Sequence, residues 1–415
     1  MNLKFPHNFF FGAATASHQV EGYGNNDWTE WEKENAERFA KEAKEHPPEG
    51  GWPDYILHSY PSPLDPQNYI SGKACDSYYR FREDFDIAQQ LGHNAHRLSL
   101  SWSKIEPREG VFDQKEIAHY TEKIQAVRER GMEPFVTLYH WPVPLWFRDK
   151  GGWEARDAVE QFRQYAFRVA KALNHHITYW LTINEPDIYC FNGYFRGSWP
   201  PEQKSILKTI KVYRALAKAH RAAYEAIRHH NRDAQIGFSL NNTHFKSLGG
   251  PVNYMLRAIV DAVWNHSWFW LVPQSHYDFI GLNYYFHSGV DWGLNKNKNK
   301  VISDVGWEID PRGLYHVLLD LRQYDKPIFI TENGVADIRD VYRADFIEQH
   351  LIWAQKAIED GVPLSGYFYW TLLDNFEWSK GFWPRFGLVE MDYHTLERKI
   401  RPSAWRYKEI IEHGR

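Results

Sequence analysis

The sequence predicts an α/β fold, a parallel (β/α)8 barrel, and three observations point to it. Eight short runs of strand character alternate with helical patterns over 415 residues, the sequence form of a parallel sheet wrapped by helices. Polar residues gather where the runs end, which is where such barrels carry their chemistry. Two of those run ends, at positions 185 and 332, each present a glutamate. The length would allow two ordinary domains, but barrels of this class run past about 250 residues as one unit. Residues 1–415 therefore read as a single TIM-barrel domain with elaborated loops at the C-terminal face.

The strands are expected near residues 9–15, 94–100, 133–139, 178–183, 234–240, 277–283, 326–331 and 364–370. Helices are expected between them, such as Ile206 to Asn231 and Ala344 to Asp360. In the latter, Phe346, Ile347, His350, Leu351, Ala354, Ala357 and Ile358 recur at helical spacing. Residues 28–45 read as a charged helix. Residues 46–68 carry Pro47, Pro48, Pro53, Pro61, Pro63 and Pro66 among several aromatics, which reads as an elaborated loop at the active end and not as an interdomain linker.

A net charge of −4 leaves no basic footprint for nucleic acid, and the expected partner is small and neutral. No window holds 18 consecutive apolar residues, so no membrane span is expected. Lys4 ahead of Phe9-Phe10-Phe11 imitates a secretion signal only faintly. Pro6, His7 and Asn8 leave its apolar core too short, and Met1 to Ala16 reads as mature protein. Cys75 and Cys190 share no metal spacing and are expected as reduced thiols in a cytoplasmic protein. No H-E-x-x-H motif occurs among the 21 histidines; His175-His176 and His229-His230 read as solvated, as does the run from Asn295 to Lys300. Aromatic residues make up 17% of the chain, and most are expected to be packing.

The chemistry centres on Lys326-Pro327-Ile328-Phe329-Ile330-Thr331-Glu332-Asn333-Gly334, a short buried strand that delivers one carboxylate and stops at Asn-Gly. Thr178-Tyr179-Trp180-Leu181-Thr182-Ile183-Asn184-Glu185-Pro186 has the same form. Alone, either glutamate reads as readily as half of a structural ion pair, since burying an unpartnered carboxylate costs several kcal/mol. Together, two carboxylates at one end of a barrel are what glycosidic cleavage requires.

Asn184-Glu185-Pro186 and Thr331-Glu332-Asn333-Gly334 resemble the signature pair of glycoside hydrolase family 1, the β-glucosidases and β-galactosidases. The resemblance runs from Phe10-Phe11-Gly12-Ala13-Ala14-Thr15 to Arg385-Phe386-Gly387-Leu388-Val389. It implies a retaining exo-β-glycosidase with Glu332 as nucleophile and Glu185 as acid/base, with no metal or organic cofactor. It further implies that Arg97 pairs with the nucleophile and that Tyr285 positions it; strand alternation sets Asn283, an expected substrate contact, on the same face as Tyr285. Gln19 would hold two adjacent hydroxyls, His140 beside Trp141 a glycone hydroxyl, and Asn184 the 2-hydroxyl. Trp370 would be a stacking platform, Trp378 a donor to the glycone, and Phe386 would close the pocket. Glu377 would accept the 4- and 6-hydroxyls of an unphosphorylated sugar and repel a 6-phosphate. His18 departs from the aromatic expected at its position. Asn241 and Asn242 are expected to line the pocket. A transglycosylase using the same site and a catalytically silent sugar-binding barrel are the alternative readings.

Overall fold

The computed structural model describes residues 3–298 and 300–414. Met1 and Asn2 of the leading stretch, and Asn299 of the Asn-Lys run, lie outside the described residues. At the centre is a closed barrel of eight parallel strands: β1 (Phe10–Ala14), β2 (Ala95–Ser99), β3 (Glu133–Tyr139), β4 (Tyr179–Asn184), β5 (Gln235–Asn241), β6 (Ile280–Asn283), β7 (Ile328–Asn333) and β8 (Leu364–Trp370). They pair in chain order around the ring, and β1 closes it on β8. All eight lie where the alternation placed them. Nearly every strand residue is buried, which is why most of these runs are largely apolar and not alternating. The expected helices are present as Asp27–Glu45, Ile206–His230 and Arg343–Glu359.

Alternate residues of a strand share a face, and the inward set is layered. Toward the amino-terminal mouth Phe135, Leu181, Phe279, Phe329 and Phe368 form one buried cluster with Phe10 and Tyr179 packed against it. Phe135 and Tyr179 stack with ring centroids 4.3 Å apart. The barrel is thus a packed core and not a pore, and part of the high aromatic content is spent here. Toward the carboxyl ends the inward residues turn polar.

The strand pairing slips between Leu181 and Asn184 on β4, and where β6 passes from Leu282 to Asn283 while β7 passes from Ile330 to Glu332. An irregularity of this kind re-aims the side chain that follows it. Thr331 and Glu332, adjacent in sequence, consequently both engage interior residues: Thr331 Oγ1 donates to Asn283 at 2.7 Å, and Glu332 receives Arg97.

Residues 46–68 are wired to the segment after β8. Trp52 packs edge-on against Trp383 at 5.1 Å. Asn68 accepts the backbone N–H groups of Phe382 and Trp383, each at 2.9 Å, and donates to the Lys380 carbonyl at 2.9 Å. No helix among the described residues is long and apolar enough to cross a membrane. Cys75 and Cys190 are buried free thiols.

Asp374, just past β8, receives both terminal nitrogens of Arg401 at 2.9 Å each, inside the protein. The pair ties the start of the last helix, Pro402–Gly414, to the barrel. Removing one partner strands the other charge in the interior, at a cost of about 3–5 kcal/mol. Arg401→Met is expected to lower unfolding stability by about that much in a urea titration. A loss under about 1 kcal/mol would show that the pair contributes no more than an exposed one.

Candidate active site

Glu332 ends β7 in a buried position. The terminal nitrogen Nη1 of Arg97 donates to its Oε1, and the Tyr285 hydroxyl donates to its Oε2 at 2.6 Å. Arg97 itself, 1% exposed, is satisfied all round. Its Nε meets Thr137 Oγ1 at 3.2 Å, Nη1 also reaches the Thr331 carbonyl at 3.2 Å, and Nη2 donates to Asn184 Oδ1 at 2.7 Å. A guanidinium fork suits this task because its donors are fixed in one plane.

Glu185 follows β4 in the left-handed region, φ +41°, where Pro186 starts the short helix Pro186–Cys190. Its N–H donates to the Ser239 carbonyl at 2.8 Å. Its Oε1 accepts from Asn283 Nδ2 at 2.8 Å and Asn241 Nδ2 at 3.0 Å, and Asn283 Nδ2 also reaches Asn184 Oδ1 at 3.2 Å. Burial, then the charges of Glu332 and Asp187, push the Glu185 carboxyl well above the usual range, although the two amides pull it down. One carboxyl therefore faces a cation and a phenol, and the other faces amides. They are joined through Asn283, Asn184 and Arg97.

The remaining predicted residues surround this pair. Gln19 is fully buried; its Nε2 donates to the Phe376 carbonyl at 2.7 Å and Asn375 Oδ1 at 3.2 Å, while its Oε1 has no protein partner. His140 Nε2 lies 3.1 Å from Asn184 Nδ2, and its Nδ1 has no protein partner. Burial and the Arg97 charge hold the imidazole neutral by lowering its pKa well below the ordinary value. An unpaired buried polar atom costs about 1–3 kcal/mol, and two of them on residues expected to hold sugar hydroxyls suit a polyol ligand. Trp370, followed by a cis bond to Thr371, stacks on His140 at 6.1 Å. Phe386 packs against Tyr285 at 6.3 Å.

Three expectations change in the structure. The Trp141 indole N–H donates to the Asn184 carbonyl at 3.0 Å, so it fixes the end of β4 and has no donor left for a sugar. Burial and then the Glu332 charge push Glu377 up to about 8; below that pH it is largely neutral, and charge repulsion of a 6-phosphate gives way to the mere lack of a phosphate-binding cation supplied by this side chain. Position 18 keeps the flat ring that an aromatic would supply. His18 stacks on Trp378 at 5.6 Å with an 8° tilt, while its Nε2 lies 2.6 Å from Glu32.

Asn241, expected only to line the pocket, holds Glu185, and three supporting residues went unassigned in the sequence reading. Glu32 holds His18 and also the Ser71 hydroxyl at 2.6 Å. Glu21, two residues beyond Gln19, accepts from Lys123 at 2.7 Å, Tyr120 at 2.9 Å and Lys104 at 3.0 Å. The carboxyl oxygens of half-buried Asp187 are out of reach of solvent, and burial raises the group to about 7. Among the described residues, only Asp261, His266 and Asp320, on outer helices, offer a group that could hold a metal. His266 already bonds Asp320 at 2.8 Å.

A parallel barrel that brings two buried carboxyls in unlike surroundings to its carboxyl end has the site of a glycosyl hydrolase. The model of glycosyl hydrolase family 1 matches residues 1–274 and 270–415, and the chain belongs to that family. It is 31% identical, over an alignment of 465 positions covering 100% of this chain and 99% of the relative, to beta-glucosidase A of Thermotoga maritima. It is 30% identical to the 1,4-beta-D-glucan glucohydrolase of Thermotoga neapolitana, with 99% of each covered. The solved beta-glycosidase from Pyrococcus horikoshii superposes with a TM-score of 0.87 at 35% identity, covering 99% of this chain and 95% of that one.

Asp187→Asn removes a negative neighbour that raises Glu185. Ionisation of Glu185 then becomes easier, so the alkaline limb of kcat/KM is expected to move to lower pH with the acid limb in place. An unmoved alkaline limb would mean that Asp187 does not act on Glu185.

Proposed function

We propose that residues 1–415 form one catalytic domain, a retaining exo-β-glycosidase that removes terminal unphosphorylated β-glucosyl residues, with β-galactosides and β-fucosides accepted as their 4-hydroxyl contacts allow. The observation that carries this reading is the continuous hydrogen-bonded path Glu185–Asn283–Asn184–Arg97–Glu332. The path brings both carboxyls to one end of the barrel, and direct attack requires them about 5 Å apart, against roughly 6.5–9.5 Å for inversion. The names of the relatives support a β-glucoside substrate. The Phe5 N–H bond to the Gly414 carbonyl at 2.9 Å, which joins the two ends of the chain, supports a single unit.

In this reading Glu332 Oε attacks the anomeric carbon as the glycosidic C–O bond breaks, and Glu185 passes its proton to the leaving oxygen. A covalent α-glycosyl ester results. Glu185, now ionised, takes a proton from water as that water attacks the same carbon, and Glu332 is released. Asn184 lies within reach of both halves of the path, where a 2-hydroxyl contact would strengthen in the transition state. Gln19, His140, Trp378 and Glu377 line the glycone side, and Trp370 with Phe386 lines the exit.

Proton NMR of an aryl β-glucoside during hydrolysis is expected to show the β-anomer first. Initial α-glucose would reject retention. Glu332→Gly is expected to lose at least ~10³-fold in kcat and to recover with azide as an α-glycosyl azide, whereas a β-azide would reject Glu332 as nucleophile.

Glu185→Ala is expected to slow a poor alkyl leaving group by at least ~10²-fold more than dinitrophenolate, since only the former needs the proton. Equal losses on both would remove Glu185 from the acid role. The same aryl panel, run with 6-phosphoglucosides and with added alcohol acceptors, tests the free-sugar preference and separates hydrolysis from glycosyl transfer.

A further inference from the structure

The outer helix Pro251–Leu271 turns its apolar residues outward. Of its 21 residues only Asn253, Asn265 and Trp268 are buried, while Val252, Ile259, Val263 and Trp270 stand 38, 53, 56 and 65% exposed. At 3.6 residues per turn these four, with the half-buried Leu256 and His266 between them, fall on one stripe. Helix Gln114–Glu129, by contrast, exposes Lys115, Glu122, Gln125, Arg128 and Glu129. The stripe and its flank leave on the order of 500 Å² of apolar surface in water, at the upper end of what a monomer carries as one patch and a large part of the ~800 Å² per partner in a standard interface.

The spacing of the stripe is palindromic. Val252 and Trp270 lie nine residues either side of Asp261, Leu256 and His266 five, and Ile259 and Val263 two. A second copy of this helix laid antiparallel therefore meets the first knob for knob: Ile259 against the second copy's Val263, Val252 against its Trp270, and the reverse. That self-matching is what a twofold interface requires. A lipid surface is a poorer fit, because membrane-surface helices are flanked by Lys and Arg. Here the helix has one arginine, Arg257, already paired with Asp261 at 3.1 Å, on a chain of net charge −4.

We propose that this face joins two copies of the chain, their Pro251–Leu271 helices antiparallel across a twofold axis at the level of Asp261. Sedimentation velocity of the full chain from about 1 to 100 μM is expected to show twice the 49.2 kDa chain mass. Ile259→Lys and Val263→Glu, each on the exposed stripe, are expected to weaken the dimer at least ~10-fold with melting temperature and aryl-glucoside turnover unchanged. An equimolar mixture of the two variants is expected to restore the dimer, because the two new charges then face each other.

A monomer throughout the range would overturn the proposal, as would a dimer indifferent to both substitutions or a mixture that stays dissociated. A monomer that instead co-sediments with phosphatidylcholine or phosphatidylglycerol vesicles would assign the face to lipid and overturn it too.

Discussion

A guanidinium sealed inside the barrel is the constraint on which the site depends. Arg97 cannot shed its charge, so every donor must find an acceptor or the fold carries a penalty of several kcal/mol. The acceptors it finds come from β3, β4 and β7: Thr137, Asn184, the Thr331 carbonyl and Glu332. Satisfying one buried cation thereby fixes the relative positions of three strand ends. It also distinguishes the two glutamates, because the cation bonds one and reaches the other only through amides. The register slips serve this arrangement, because the extra residue falls on β4 ahead of Asn184 and on β7 ahead of Glu332.

Around that centre the residues proposed to face the sugar are held by ring packing and ion pairs. Trp378 is gripped by Trp28 at 4.7 Å, Trp141 at 4.5 Å and the His18 ring, and His18 is fixed in turn by Glu32. The turn that carries Gln19 is anchored by Glu21. Burial would raise that carboxyl, but Lys123 and Lys104 overcome it and hold it at about 2, against 4.5 for an exposed glutamate. A depressed carboxyl of this kind adds stability that is complete above about pH 5 and is lost as pH falls toward 2. Acid should therefore loosen the Gln19 turn well below any working pH of the site.

The fold was legible in the sequence because a closed parallel barrel buries each strand on both sides, and that leaves an unmistakable run of apolar residues. The two glutamates were legible because each closes such a run beside a proline or an Asn-Gly turn. What could not be read is which residues meet across the barrel. Asn241 and Glu185 come from neighbouring strands with a slipped register, and no spacing along the chain encodes that slip. Trp141 shows the same limit in reverse. Its position beside His140 grouped it with the sugar contacts, but the direction of its N–H is set by the Asn184 carbonyl, which only folding brings near. Glu377 was placed as a carboxylate, whereas its charge is decided by burial and by Glu332, neither visible in its own sequence context.

The protonation pattern explains how one pocket can run both halves of a double displacement. Burial and neighbouring charges push Glu185, Glu377 and His140 toward their neutral forms beside the buried ion pair of Glu332 and Arg97. In the proposed mechanism such a pocket suits an uncharged sugar and offers the Glu332 anion to the carbon where positive charge develops. In the proposed mechanism Glu332 loses its charge on becoming an ester, and with it goes one of the causes that raised Glu185. Glu185 then ionises more readily just when a base is needed, while Arg97, relieved of its carboxylate partner, favours a negative charge nearby. In that mechanism the switch from acid to base is electrostatic. It follows from the loss of one charge between two coupled groups.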